Sequence, residues 1–258
     1  MTKRSLALVP LLAVTLPLCL FAQAPSLSIQ VDRPTAKVSP MLYGLMTEEI
    51  NFSYDGGLYA ELVRDRAVGH GWGALQHWTL VEHGNSAAKV AVDETTGPSA
   101  ALPRSLKVSV TSATEAAPAG IQNDGYWGIA VRPRTTYSGS FYAKSDNARI
   151  PVTVSLVNDQ TGAVAASAKV AAVFGDWRPY TFTLQTEDLP VSASNHLVLT
   201  IPRPATVWFD LISLFPPTYL DRPHGNRIDL MEKLAAMHPK FLRLPGGNYL
   251  EGDHIAER

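Results

Sequence analysis

The sequence predicts a mixed fold in which an antiparallel, jelly-roll-like β-sandwich is inserted after the first strand of an incomplete (β/α)8 barrel. Residues 72–217 alternate apolar and polar side chains and are divided by frequent turn residues, a pattern typical of antiparallel sheets. An apolar strand at 42–46 precedes this region, and a helix at 228–237 followed by a strand at 241–244 comes after it. Strand, helix and strand form a β-α-β unit, which supplies two of the eight strands in a complete barrel.

The first 24 residues predict export. Lys3 and Arg4 precede an apolar run at 6–21, which suits a signal-peptide core and is short for a membrane span. Ala22-Gln23-Ala24 then provides the small residues that a signal peptidase recognises. We therefore predict a signal peptide at 1–24 and a secreted or periplasmic protein that is not a membrane protein.

Composition argues against several classes of function. With a formal net charge of −1, the chain has no basic field for binding nucleic acid. Its only cysteine, Cys19, lies within the predicted signal peptide, which argues against disulfides and thiolate metal sites. The seven histidines show no ligand-like spacing. We therefore expect neither a metal nor another cofactor.

Two strands are predicted in the N-terminal segment 25–71. Leu27, Ile29 and Val31 alternate with polar residues, as in a strand with one buried face. The apolar stretch at 42–46 is the second strand and would be the first barrel strand. It ends abruptly in Thr47-Glu48-Glu49, and a carboxylate beside a buried strand is costly unless it is paired or used.

About eight short strands and no helix are predicted between residues 72 and 217. The clearest cover residues 105–110, 136–143, 150–157, 178–184, 196–201 and 206–214. Most aromatic residues of a small sandwich are buried, so we expect about three of the five tryptophans to lie in the core.

Residues 218–258 are predicted to begin the barrel proper. A helix at 228–237 ends before Pro239, and the next strand ends in Pro245-Gly246-Gly247-Asn248. Substrates of β/α barrels bind at the C-terminal ends of the strands. Glu48, Arg243 and Asn248 all fall at such ends, so we expect their side chains to converge on one site.

Several motifs together resemble a known family. The stretches LYGLMTEEIN at 42–51, DGGLYAELVRDR at 55–66 and KFLRLPGGNYLEGD at 240–253 resemble the start of glycoside hydrolase family 51 α-L-arabinofuranosidases. Between them, GYWGIAV at 125–131 and TYSGSFYAKSD at 136–146 resemble a family 4/9 carbohydrate-binding module. The resemblance covers nearly the whole chain after the predicted signal peptide.

The resemblance implies a sugar-binding role for two side chains. Glu48 would accept charge-assisted hydrogen bonds from hydroxyls of an arabinose ring. Asn248 would donate and accept hydrogen bonds through its amide, while Gly246 and Gly247 let the backbone approach the sugar closely. The alternatives stay open at this point: Glu48 as a simple ion-pair partner of Arg243, and Asn248 as an ordinary turn residue.

Supporting roles follow for other residues. Arg243 would orient a catalytic carboxylate through its forked donors, and Glu49 would be structural or support the site. Tyr126 and Trp127 stand beside glycines and are the best candidates for exposure, and therefore for stacking on a sugar. Asn51-Phe52-Ser53 has the form of a glycosylation acceptor, but its place beside Glu48 suggests coincidence.

The resemblance implies a retaining hydrolase that releases arabinofuranose from plant cell-wall polysaccharides such as arabinoxylan or arabinan. The acid/base and nucleophile of the family are glutamates on later barrel strands, so we expect this chain alone to be inactive. The main alternative is a non-catalytic carbohydrate-binding protein, and another is a related hydrolase with a different glycan specificity. A homo-oligomer of the full-length protein is left open.

Overall fold

The computed structural model describes residues 26–69, 75–147 and 149–244. The chain divides into two compact units, Met1–Leu42 and Tyr43–Arg258. The predicted signal peptide lies outside the described residues. In the described part of the first unit, the strand predicted around Leu27, Ile29 and Val31 is wrong, because these side chains are 72 to 87% exposed and no strand forms. Alternation indicates a suitable face, but a strand also needs a neighbour to accept its backbone hydrogen bonds.

The described part of the second unit contains twelve strands, one α-helix (α1) and a short 3₁₀ helix at Tyr219–Asp221. The strands are β1 (Leu45–Met46), β2 (Trp78–Glu82), β3 (Ala87–Asp93), β4 (Ser105–Ser112), β5 (Ala119–Asn123), β6 (Thr136–Ser145), β7 (Ile150–Asn158), β8 (Val164–Val173), β9 (Arg178–Gln185), β10 (Asn195–Ile201), β11 (Ala205–Phe215) and β12 (Leu242–Arg243), and α1 covers Ile228–Ala236.

Ten of these strands form two antiparallel five-stranded sheets. Their orders are β2-β5-β10-β7-β8 and β3-β4-β11-β6-β9. The predicted antiparallel sheet class is confirmed, and all six of the clearest predicted strands are present. The count of about eight is wrong, since β2, β3, β5 and β8 bring it to ten. Alanines are frequent in β3 and β8, which weakens the β-branched signal by which strands are recognised.

The two sheets enclose one apolar core. Strand β6 alternates buried and more exposed residues along its length, so that Tyr137 and Phe141 point inward and are fully buried. Phe141 packs edge-to-face on Phe209 of β11, with ring centroids 5.5 Å apart. The tryptophan prediction is wrong for the described residues: Trp78 is buried, but Trp177 and Trp208 are only partly buried.

The outer segments form the predicted β-α-β arrangement in shortened form. Strand β1 pairs in parallel with β12, with Met46 opposite Arg243. The expectation of a buried first strand is wrong, because Met46 is 56% exposed and Leu242 is 59% exposed. The physical reason is that no other described strand pairs with these two and that α1 has no buried residue.

The segment that follows β1 returns to the sandwich. Leu62 N donates to Leu214 O at 2.9 Å, and Ile212 N donates to Arg66 O at 3.0 Å, so this segment runs beside β11. Val63 is fully buried within the sandwich core. The segment after β1 is therefore anchored on the sandwich at residues 62–66. In the described ranges, no helix is long and apolar enough to cross a membrane.

Candidate functional site

The parallel pairing of β1 and β12 brings two predicted site residues, Glu48 and Arg243, to the C-terminal edge of this strand pair. Thr47 N donates to Arg243 O at 3.2 Å, and this is the last ladder bond before Glu48. Glu48 is partly buried and Glu49 is exposed. Gly246, Gly247 and Asn248 lie outside the described residues, so the predicted convergence of Asn248 with Glu48 stays a prediction.

A tight loop follows β1 and fixes its two acids differently. The Ser53 hydroxyl donates to Glu48 O and accepts a hydrogen bond from Ile50 N at 3.2 Å. Tyr54 N donates to Glu49 Oε2 at 2.8 Å. The Glu49 carboxylate therefore caps the loop, and its supporting role at the site stays a prediction. The backbone of Glu48 is held by the same loop.

The simple ion-pair reading of Glu48 is not what the structure has. The Arg243 guanidinium donates to Met46 Sδ at 3.5 Å. No ion pair within the described ranges joins Arg243 to Glu48. Among the described residues, no side chain or backbone N–H bonds to the Glu48 carboxylate at the end of β1.

An aromatic cluster connects this loop to the sandwich. The Phe52 ring lies edge-to-face with both Tyr126 and Trp127, at centroid distances of 5.6 and 5.4 Å. The Arg64 guanidinium carbon lies 4.3 Å from the centre of the Phe52 ring on a cation-π contact. The sandwich loop and the loop after Glu48 thus share one packed group of side chains.

The two predicted stacking residues differ in exposure. Trp127 is 74% exposed, as predicted. Tyr126 is partly buried, so its predicted exposure is wrong. The cause is Gly56, whose backbone passes so close that an added Cβ would lie 2.3 Å from the Tyr126 ring. Burial, followed by the carboxylates of Asp55 and Glu61, raises the pKa of Tyr126 to about 12.

Sequence reasoning missed Asn123, which ties these loops together. Asn123 is fully buried, and its side-chain oxygen accepts from Arg64 N at 3.2 Å and from Gly125 N at 3.0 Å. Its amide nitrogen donates to Arg64 O at 2.9 Å and to His77 O at 3.1 Å. An Asn-Asp-Gly string normally signals only a turn, so nothing local in the sequence could reveal these long-range bonds.

Sequence reasoning also missed the pairing of histidines with carboxylates. His77 Nδ1 lies 2.7 Å from Asp124 Oδ1, and His196 Nδ1 bonds to Asp159 Oδ1. Both partners are distant in sequence, which hides them from a spacing argument. Within the described ranges, no group of three or more histidine, cysteine or acidic residues is arranged to hold a metal ion.

Glu61 is a buried acid beside the site and has a structural role. Its Oε1 accepts from the backbone nitrogens of Leu62, Val63 and Leu214 at 2.9 to 3.0 Å, and Ser213 donates to its Oε2. Burial raises the pKa of Glu61, and these hydrogen bonds oppose that rise. The carboxylate also borders a cavity of about 290 Å³ that is lined by Tyr126, Arg132 and Asp229 among others.

Comparison with known proteins identifies relatives of this chain. No protein-family model matches the chain. α-L-Arabinofuranosidase A of Aspergillus kawachii is 32% identical over 255 residues, covering 95% of this chain and 39% of the relative. α-L-Arabinofuranosidase 1 of Arabidopsis thaliana is 30% identical over 248 residues, covering 90% of this chain and 35% of the relative. The solved structure of an arabinose-bound family 51 α-L-arabinofuranosidase matches 88% of this chain with a TM-score of 0.75 and 38% identity.

The chain is a homologue of the glycoside hydrolase family 51 α-L-arabinofuranosidases. It spans well under half of their length, since it covers 38% of the solved structure. The structural match covers most of the chain, so the fold described above is that of the corresponding part of a family 51 enzyme.

Proposed function

We propose that this chain is the N-terminal part of a secreted, retaining α-L-arabinofuranosidase and that it supplies part of the pocket for the terminal arabinofuranose. The observation that carries the proposal is the parallel pair of β1 and β12, with a Glu48 carboxylate at its C-terminal edge that no described residue pairs with. This edge is where β/α barrels bind substrate. The identities of 30 to 32% with named arabinofuranosidases support the choice of sugar.

The proposed sugar contacts follow from the chemistry of the side chains. Glu48 accepts hydrogen bonds from sugar hydroxyls, and a charged acceptor makes each bond stronger than a neutral one. Asn248 contributes a donor and an acceptor, and Gly246 and Gly247 keep the backbone close to the ring. The backbone of Arg243 is anchored by its ladder bond to Thr47, and its guanidinium donates to Met46 Sδ, two residues before Glu48.

The catalytic carboxylates are assigned to a part of the protein beyond this chain. A retaining glycosidase needs two carboxyl groups about 5 to 5.5 Å apart on either side of the glycosidic bond. We assign Glu49 a supporting role, because its carboxylate accepts a hydrogen bond from Tyr54 N within the loop. Glu48 would then lack a partner of the required geometry. The chain alone is therefore inactive.

The proposed substrate is a plant polysaccharide that carries arabinofuranose side chains, such as arabinoxylan or arabinan. Export fits such a substrate, because polymers of this size are degraded outside the cell. The predicted signal peptide at 1–24 provides the route for export. Signal-peptide cleavage can be checked by sequencing the N-terminus of the secreted protein.

The test replaces the matching part of the Aspergillus kawachii enzyme with this chain. We expect this chimera, but not the chain alone, to release nitrophenol from a nitrophenyl α-L-arabinofuranoside. Glu48→Gln should lower kcat/KM of the chimera about 10- to 150-fold, since one lost charge-assisted hydrogen bond is worth about 1.5 to 3 kcal/mol.

Glu115→Gln is the matched control, because this carboxylate is 75% exposed on the sandwich surface. Clear turnover by the chain alone would refute the assignment of the catalytic pair. Equal activity of the Glu48→Gln and Glu115→Gln chimeras would refute the role of Glu48. Polysaccharide binding without hydrolysis by an intact chimera would favour the non-catalytic alternative.

A further inference from the structure

Trp127 combines two features that do not stabilise the folded chain. Its side chain is 74% exposed, and it is the most exposed of the tryptophans that the structure describes. Its φ is +59°, in the left-handed region where the Cβ of an L-residue crowds the neighbouring carbonyl. Strained backbone and exposed aromatic side chains both concentrate at binding sites.

The loop that carries Trp127 is fastened on both sides. Gly128 N donates to Asp124 O at 3.0 Å, and Ile129 N donates to Asn195 O at 2.8 Å. An added Cβ on Gly128 would lie 2.1 Å from Ala193 O, so the backbone there approaches its neighbour as only glycine allows. The exposed indole is therefore presented by a rigid loop, and a ligand that stacks on it orders little additional structure.

Trp127 is also connected to the proposed arabinose site. It packs on Phe52, whose ring belongs to the loop that bonds to Glu48 through Ser53. Asn51 and Phe52 both have positive φ, 52° and 62°, so that loop turns sharply toward the sandwich. The exposed indole is thus in direct contact with the loop that holds the backbone of Glu48.

Polar side chains lie on the two loops that meet at the indole. The Asp124 side chain is 66% exposed, and one of its oxygens is paired with His77 while the other is available to accept a hydrogen bond. Asn51 is exposed on the neighbouring loop. An apolar ring with hydroxyl-binding groups at its edge is the combination that recognises a sugar ring, since the C–H face stacks and the hydroxyls are bonded at the rim.

We propose that Trp127 is the platform for a pyranose unit in the polysaccharide backbone, so that the sandwich supplies a subsite next to the arabinose pocket. A flat indole matches the C–H face of a pyranose chair better than a puckered five-membered ring. The subsite therefore selects a xylan-type backbone over an arabinan backbone. This inference rests on the proposed function for the position of the arabinose, but not for binding to the indole itself.

The test measures binding of the chain to xylohexaose and to a linear arabinohexaose by calorimetric titration. We expect xylohexaose to bind more tightly than arabinohexaose. Trp127→Ala should weaken xylohexaose binding about tenfold, and Trp127→Phe should restore most of it. Tyr142→Ala is the matched control, because Tyr142 is an exposed aromatic of β6 away from this loop, and it should bind as the unchanged chain does.

Three results would overturn the proposal: no binding of millimolar xylohexaose, equal binding of the two hexaoses, or a Trp127→Ala variant within twofold of the unchanged chain. In the chimera, Trp127→Ala should also lower the ratio of arabinoxylan to nitrophenyl arabinofuranoside activity. The two proposals fail separately. An inactive chimera with Trp127-dependent binding refutes only the hydrolase, whereas an active chimera with Trp127-independent binding refutes only the platform.

Discussion

Glu61 is predicted to be a major stabilising residue of the second unit, although it lies beside the proposed site. Replacing it with alanine removes the acceptor for three backbone N–H groups and for the Ser213 hydroxyl. A buried donor left without a partner costs about 1 to 3 kcal/mol, and water entering the adjacent cavity recovers part of that cost. We therefore expect Glu61→Ala to lower the free energy of unfolding by about 3 to 5 kcal/mol.

Urea denaturation followed by tryptophan fluorescence measures this effect. Glu61→Gln keeps an acceptor for the backbone donors, so we expect a loss of only about 1 kcal/mol. Glu115→Ala, at an exposed position, should change stability by less than about 0.5 kcal/mol. A Glu61→Ala protein as stable as the Glu115→Ala control would refute the stabilising role of the hydrogen bonds that Glu61 makes to Leu62, Val63 and β11.

The ionisation of Glu61 makes the free energy of unfolding depend on pH, and the direction of its pKa shift fixes the sign. Its pKa in the folded chain is above the ordinary value of 4.5 because of burial. As pH rises from 4.5 through the folded pKa, the unfolded chain has already lost the proton that the folded chain still holds, so stability falls. The difference in unfolding free energy between the unchanged chain and Glu61→Gln should therefore shrink over that window, and a difference that grows would contradict the assigned direction.

Three further predictions concern the sandwich. Burial raises the pKa of Asp93, but hydrogen bonds, led by the one from the Trp208 indole, lower it overall to about 2. The stabilisation from the ionised Asp93 is therefore present above pH 3.8 and is lost as the pH falls toward 2. Asp93→Asn should lower the free energy of unfolding by about 1 to 2 kcal/mol at pH 7 and make stability less dependent on pH between 3.8 and 2. Gly128→Ala should weaken xylohexaose binding in the same titration, because the added Cβ displaces the Trp127 loop from Ala193 O; unchanged binding would show that the loop adapts. Phe141→Ala should cost about 3 to 5 kcal/mol in urea denaturation, since the ring is fully buried, and a loss below 1 kcal/mol would place Phe141 outside the core.

The sequence predicts local periodicity well and distant contacts poorly. Strands such as β6 and β7 are recognised because their alternating residues face one core. Strand β8 is hard to recognise because the alanines at its inward positions differ little in hydrophobicity from its polar residues. The segment 27–31 shows the opposite error, since its alternation is clear but the described residues provide no neighbouring strand.

In the candidate site, too, the local features can be predicted from the sequence and the distant contacts cannot. The position of Glu48 at a strand end can be predicted because the apolar run stops there, and the parallel partner strand is readable from a β-α-β pattern. The burial of Tyr126 depends on Gly56, and the anchoring of its loop depends on Asn123. These contacts join residues about 60 to 70 positions apart, and no local pattern encodes them.

The proposed arabinose pocket depends most on Glu48 and Asn248 binding the same sugar. The most direct measurement is a crystal structure of the chimera soaked with arabinose. We predict that a Glu48 carboxylate oxygen and the Asn248 amide each lie about 2.7 to 3.2 Å from hydroxyls of one arabinose ring. An ordered arabinose that contacts neither side chain, or Glu48 and Asn248 facing away from each other, would contradict the assignment.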